Sequence, residues 1–150
     1  MQTVTPTVPT RPARTAARRF GYLMAAAVNG VMLYVFNNLL EWGFPDFLTE
    51  DFAKLLPIVN LSLVASIAVN LTYTAFDPKW YHSATQALVA FIGLGVAVRT
   101  LQVFPFDFAS YRGFPWETLV RVVVTITIVA TGIATVAETI KAIAAFVKGD

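Results

Sequence analysis

Four apolar stretches almost free of charge decide what this chain can become: Phe20 to Leu40, Leu55 to Phe76, Ala84 to Phe104 and Val122 to Ala137. A bilayer core of about 30 Å needs about 20 apolar residues in helix, and the first three stretches match that length. The fourth has a shorter uncharged core between Arg121 and Glu138, but its pattern runs from about Pro115 to about Val147. Arg121 and Lys141 then reach towards opposite water layers. With 57% hydrophobic and 13% charged residues in 150, the chain is too apolar for a soluble fold of this size. The expected fold is all-α, an integral-membrane four-helix bundle over residues 20–147. Its spans lie at about 20–40, 55–76, 84–104 and 117–140, between a basic tail (1–19) and a C-terminal tail (148–150).

Charge placement orients the bundle. The tail 1–19 is rich in Thr, Pro and Arg and has only Met, Val and Ala as apolar residues, so it is expected to be disordered. Its Arg11, Arg14, Arg18 and Arg19 stand without an acid among them and hold the N-terminus on the cytoplasmic side. Glu41, Asp46, Glu50 and Asp51 face one lysine in the next loop, and the remaining segments agree. Both termini are expected inside, in the inner (plasma) membrane. Arg18-Arg19 is not read as a cleavable export signal, because the spacing to the apolar run is wrong and that run is long enough to stay as an anchor.

Several helix ends are legible. Ser83-Ala84-Thr85-Gln86 has capping-box spacing, which predicts that the third helix begins there and stops before Pro105. Pro115 suits a first helical turn, with Glu117 near the positive end of the helix dipole. Thr49-Glu50-Asp51 starts a helix ahead of the second span, and Pro57 predicts either a kink or a short helix feeding that span. The run Val122 to Val129 would read as a strand in water, but a lone strand cannot satisfy its backbone in lipid, so it is read as helix. Small residues at spacing four, Gly21-Ala25-Asn29, Ser62-Ser66-Asn70 and Gly93-Ala97, predict close helix approach, with Asn29, Asn60 and Asn70 bonding across the seams.

Asn60-Leu61-Ser62-Leu63-Val64, Asp77-Pro78-Lys79-Trp80 and Val103-Phe104-Pro105-Phe106-Asp107-Phe108 carry a resemblance to small four-helix membrane proteins of actinobacteria. It covers residues 20–145 or so. The resemblance implies the four-helix architecture and no activity.

No stretch carries a motif for a recognisable reaction. The absence of cysteine excludes disulfides, Cys-ligated zinc and iron-sulfur clusters, and the single histidine, His82, excludes bis-histidine haem ligation within one chain. No metal, cofactor or nucleic-acid partner is expected, and the chain is read as a non-enzyme. Arg99 is the sharpest single residue, about one and a half turns inside the outer end of the third helix. Its side chain leans towards the membrane centre, so it needs a partner, and Glu41 at similar depth is the expected one. Asn37, Asn38 and Gln102 lie in the same outer half. The cluster is either interhelical glue or a polar pocket opening outward for an anionic or carbonyl-bearing ligand.

Glu138 and Lys141, three residues apart, are expected to satisfy each other near the inner end of the fourth helix. Thr127, Thr131 and Thr135 continue that face and are expected to pack helices or bond their own backbone. Ten of the twenty aromatics lie in two outer segments: Trp42, Phe44, Phe47 and Phe52, then Phe104, Phe106, Phe108, Tyr111, Phe114 and Trp116. They form either a cap over the bundle or a docking face for a membrane subunit or apolar ligand. The reading is therefore a membrane protein acting as an interaction or accessory subunit through its aromatic outer face. Its partners are the lipid bilayer and either a membrane protein or further copies of itself. The alternative is a small transporter or carrier of an apolar or anionic ligand, using the pocket around Arg99.

Overall fold

The computed structural model describes residues 11–76 and 78–148, with side chains from Thr15 onward. Four helices follow one another: α1 (Arg11–Trp42), α2 (Leu56–Ala75), α3 (Lys79–Val103) and α4 (Trp116–Lys148). A 3-10 turn, Glu50–Lys54, leads into α2. All four helices are long and apolar enough to cross a membrane. The β-branched run 122–129 lies inside α4, where helix geometry satisfies every backbone group.

Two helix starts differ from expectation. Residues 11–19, expected to be disordered, are the first turns of α1; residues 1–10 lie outside the described residues. Pro12 is tolerated in a first turn, and Ala13, Ala16 and Ala17 favour helix. The third helix begins at Lys79 and not at Ser83. Pro78 is extended at φ −73 and ψ 150, and its carbonyl accepts the His82 N–H at 3.0 Å, so the helix opens directly behind the proline. Gln86 closes no capping box; its amide donates to the Tyr73 hydroxyl at 3.4 Å. Elsewhere the local signals hold. Pro57 sits in the first turn of α2 behind a short helix that feeds the span, and Pro115 immediately precedes α4, accepting the Leu119 N–H at 3.0 Å.

The helices pack in chain order. Among the described residues, the backbone of α1 approaches α2, α2 approaches α3 and α3 approaches α4, whereas α1 and α4 do not meet. The bundle is an open row, not a closed ring. One core cluster, Phe52, Leu55 and Val59, gathers Phe36, Leu39 and Leu40 from α1 and Val96 and Val103 from α3. Helix α4 buries no residue, and large apolar side chains are exposed along all four helices. Such a distribution would be unstable in water but suits lipid, whose tails cover apolar side chains as well as a neighbouring helix does.

Close approach occurs at one glycine the spacing pattern did not select. A Cβ on Gly95 would stand 3.1 Å from Ile58 Cδ1 on α2, whereas Gly21 and Gly93 face open space. Asn60 bonds across a seam as expected. Asn29 and Asn70 do not: they donate to their own helices at Ala25 O (2.8 Å) and Ser66 O (2.7 Å). On a helix, a side-chain amide finds the carbonyl four residues back without needing a neighbour.

Candidate functional site

The two outer segments meet at one end of the row. Leu48 and Phe106 form an antiparallel bridge, in which Thr49 N–H donates to Pro105 O (2.9 Å) and Asp107 N–H donates to Phe47 O (2.8 Å). Phe104 makes this meeting geometrically feasible. It ends α3 in the left-handed region at φ 43, a conformation costing a non-glycine residue about 1–3 kcal/mol, and turns the chain back over the helices. Pro105 beside it is one of the two most deeply buried large side chains, the other being Leu55.

Aromatic rings fill the joint. Phe47 lies 5.3 Å from Phe108, 6.3 Å from Phe106 and 6.2 Å from Tyr111, and Phe106 stands 5.5 Å from Phe104. These separations suit offset and edge-to-face pairs. Phe114 and Trp116 pair separately at 4.7 Å, and Trp42 packs on Tyr34 at 6.0 Å. Trp42, Phe44, Tyr111, Phe114 and Trp116 stay exposed, whereas Phe47, Phe104, Phe106 and Phe108 are half-buried and Phe52 is buried. The aromatics thus divide equally into a cap and an exposed rim.

Beneath the cap lies an apolar cleft of about 400 Å³. Phe36 and Leu39 of α1, Leu55 immediately ahead of α2, Val59 and Leu63 of α2 and Val96 of α3 form its walls, and Phe47, Leu48, Phe52 and Phe106 close it above. Only Ser62 and Thr100 bring polar side chains, and the Thr100 hydroxyl is already donated to Val96 O at 2.8 Å. Its size falls within the range of about 300–1,000 Å³ typical of small-molecule sites. The lining offers no carboxylate, imidazole or amine, so it suits binding better than chemistry.

The polar residues singled out in the sequence do not assemble into one pocket. Arg99 and Glu41 are both exposed and form no ion pair, which corrects the expected partnership. The reason is the open row: α1 and α3 flank α2 and do not approach each other, so equal depth does not bring their side chains together. Gln102 is exposed without a hydrogen bond, and Asn38 donates to Tyr34 O at 2.7 Å. Asn37 alone reaches a neighbouring helix, exchanging two amide hydrogen bonds with Asn60 at 2.8 and 3.0 Å. Glu138 and Lys141 pair at 2.6 Å, and Thr127 and Thr135 bond carbonyls four residues back. Among the described residues, no three His, Cys, Asp or Glu side chains converge as a metal site would require.

Three residues were not legible. Arg121 lies with its guanidinium 3.9 Å from the Phe104 ring centre while pairing with Glu117 at 3.1 Å, so the arginine engaged with the cap comes from α4. Tyr73 is 2% exposed at the opposite end, where it stacks on His82 at 4.6 Å and meets Tyr22 at 5.1 Å. Its hydroxyl bonds Thr85 and His82 O. Phe36, isolated within an apolar run, carried no signal that it lines the cleft. Comparison with family models, with curated proteins and with solved structures finds no match to this chain.

Proposed function

We propose that this chain is a multi-pass inner-membrane protein with both termini cytoplasmic, which holds an apolar ligand chain in the capped cleft without transforming it. The observation that carries this reading is the 400 Å³ apolar cleft, walled by three helices and roofed by two bridged loops. Of the ten outer rings, Phe47, Phe52 and Phe106 line this cleft. Orientation rests on charge: Arg18 and Arg19 lie beside the end of α2 and Lys79 opens α3 at that same end, whereas Asp46, Glu50 and Asp51 belong to the capped end. The test is uptake of a pyrene-labelled long-chain alcohol by the purified protein. Val96→Trp, which fills the cleft, should weaken uptake about tenfold or more at unchanged helicity. Equal uptake by both proteins would discard the reading.

A specific observation favours a second reading, in which the chain is an interaction subunit that associates through α4. Leu119, Val122, Ile126, Val129, Ile133, Val136, Ile140, Ile143 and Val147 follow alternating spacings of three and four, and every one is at least 41% exposed. That is the seam spacing of a left-handed helix pair, with a shallow hollow beside Gly132 where a knob from a second helix fits. An oligomer that Ile133→Phe dissociates in mild detergent would favour this reading over the first.

A further inference from the structure

We infer that the end of the row opposite the cap holds a phosphate-binding pocket for the head group of an anionic phospholipid, built from Arg18, Arg19 and the end of α2. This site is separate from the cleft and rests only on the chain lying in a membrane with this end in the cytoplasm.

The pocket exists because α1 begins earlier than its composition suggested. Helix from Arg11 onward holds Arg18 and Arg19 on a rigid element, beside the last turn of α2. There Thr15, Arg18, Arg19, Tyr73, Thr74 and Ala75 enclose about 230 Å³. A water's share of liquid volume is about 30 Å³, so the space holds several solvent molecules or one phosphate group. Arginine suits this task, since its planar fork donates two parallel hydrogen bonds to a phosphate and stays charged.

The depth fits a head group. Phe20, Trp80 and Phe76 are exposed around this end, with Tyr22 packed on Tyr73, which is the ring chemistry of a membrane interface. Charge favours an anion. In the sequence around this end, Arg18, Arg19 and Lys79 stand against one acid, Asp77, which leaves a net positive charge. The neighbouring hydroxyls are largely committed: Thr74 donates to Leu71 O at 2.6 Å, and Tyr73 bonds Thr85 and His82 O. The cationic side chains that line the pocket are those of Arg18 and Arg19. A basic pocket beside transmembrane helices on the cytoplasmic side is the chemistry that retains acidic lipid heads.

The experiment is native mass spectrometry of the full chain released from nanodiscs containing equal phosphatidylcholine and phosphatidylglycerol. Wild type should retain phosphatidylglycerol in preference, and Arg18→Gln with Arg19→Gln should lower that preference about tenfold. Arg112→Gln, at the capped end, should leave it unchanged. Equal retention of both lipids by wild type, or an undiminished preference in the double variant, overturns the inference. If inorganic phosphate at millimolar concentration displaces the lipid completely, the pocket reads the free anion and the lipid assignment falls. Should the double variant fail to fold, the wild-type preference measured against salt decides: a fall with rising salt supports the arginine contacts, and no change overturns them.

Discussion

Asn37 and Asn60 face each other across the α1–α2 seam and exchange two side-chain hydrogen bonds, 2.8 Å one way and 3.0 Å the other. The second amide hydrogen of Asn37 goes to Leu33 O at 2.7 Å, which fixes the side chain on its own helix while it clamps the next. Polar pairs of this kind contribute about 0.6–1.7 kcal/mol in membranes, because the separated helices find other partners. A double-mutant cycle with Asn37→Leu and Asn60→Leu, followed by denaturation in bicelles, should return a coupling in that range. Strict additivity would mean that the clamp contributes nothing.

Tyr73 should behave as the hub of the uncapped end. Removing its hydroxyl in Tyr73→Phe leaves Gln86 without that acceptor and should cost about 1–2 kcal/mol. Tyr73→Ala also removes the ring between His82 and Tyr22 and should cost about 3–5 kcal/mol. Thermal unfolding in one detergent separates the two. Equal losses would show that the hydroxyl network is the whole effect.

Arg121 and Phe104 should be coupled, by about 0.5–1 kcal/mol for a cation over an accessible ring. Glu117→Gln should matter less, since both partners of that ion pair are close to half exposed or more and such pairs contribute about 0–1 kcal/mol. A cycle of Arg121→Gln with Phe104→Leu that shows no coupling, beside a large effect of Glu117→Gln, would reverse this ranking.

Arg99 and Glu41 should be independent. Arg99→Leu and Glu41→Leu together should equal the sum of the single changes within about 0.5 kcal/mol. Arg99→Leu on its own should not lower the yield of folded protein, because it removes a charge whose place in an apolar span is costly. A yield that collapses would reveal a partner for Arg99.

The bridge between the outer loops can be trapped, since the chain has no cysteine of its own. Residues paired across an antiparallel bridge have Cα atoms about 4.5–5.5 Å apart, inside the range a disulfide spans. Leu48→Cys combined with Phe106→Cys should therefore oxidise to a single cross-linked monomer on a non-reducing gel. A reduced protein under oxidant would show that the loops part.

The sequence by itself determined the helices. Apolar length predicted four helices long enough to cross a membrane, which the fold contains, and the same argument made a helix of the β-branched run 122–129 against its propensity. Prolines at 57 and 115 marked starts because their missing N–H is tolerated in a first turn, a local effect. Where a local rule was contradicted, another strong one overrode it: Pro78 set the start of α3 before Ser83 had the chance.

Tertiary structure decided which polar and aromatic groups meet. Depth along a helix is readable from residue count, so Arg99 and Glu41 were placed at the same level. Whether they face each other depends on how helices are arranged around the axis, and the open row keeps α1 from α3. The same arrangement puts Phe36 and Val96 on opposite walls of one cleft, draws Arg121 over Phe104 and sets Arg18 and Arg19 beside Thr74. Large apolar side chains are exposed along all four helices, so hydrophobicity alone does not point to the neighbour, and the azimuth that builds a site exists only in the packed fold.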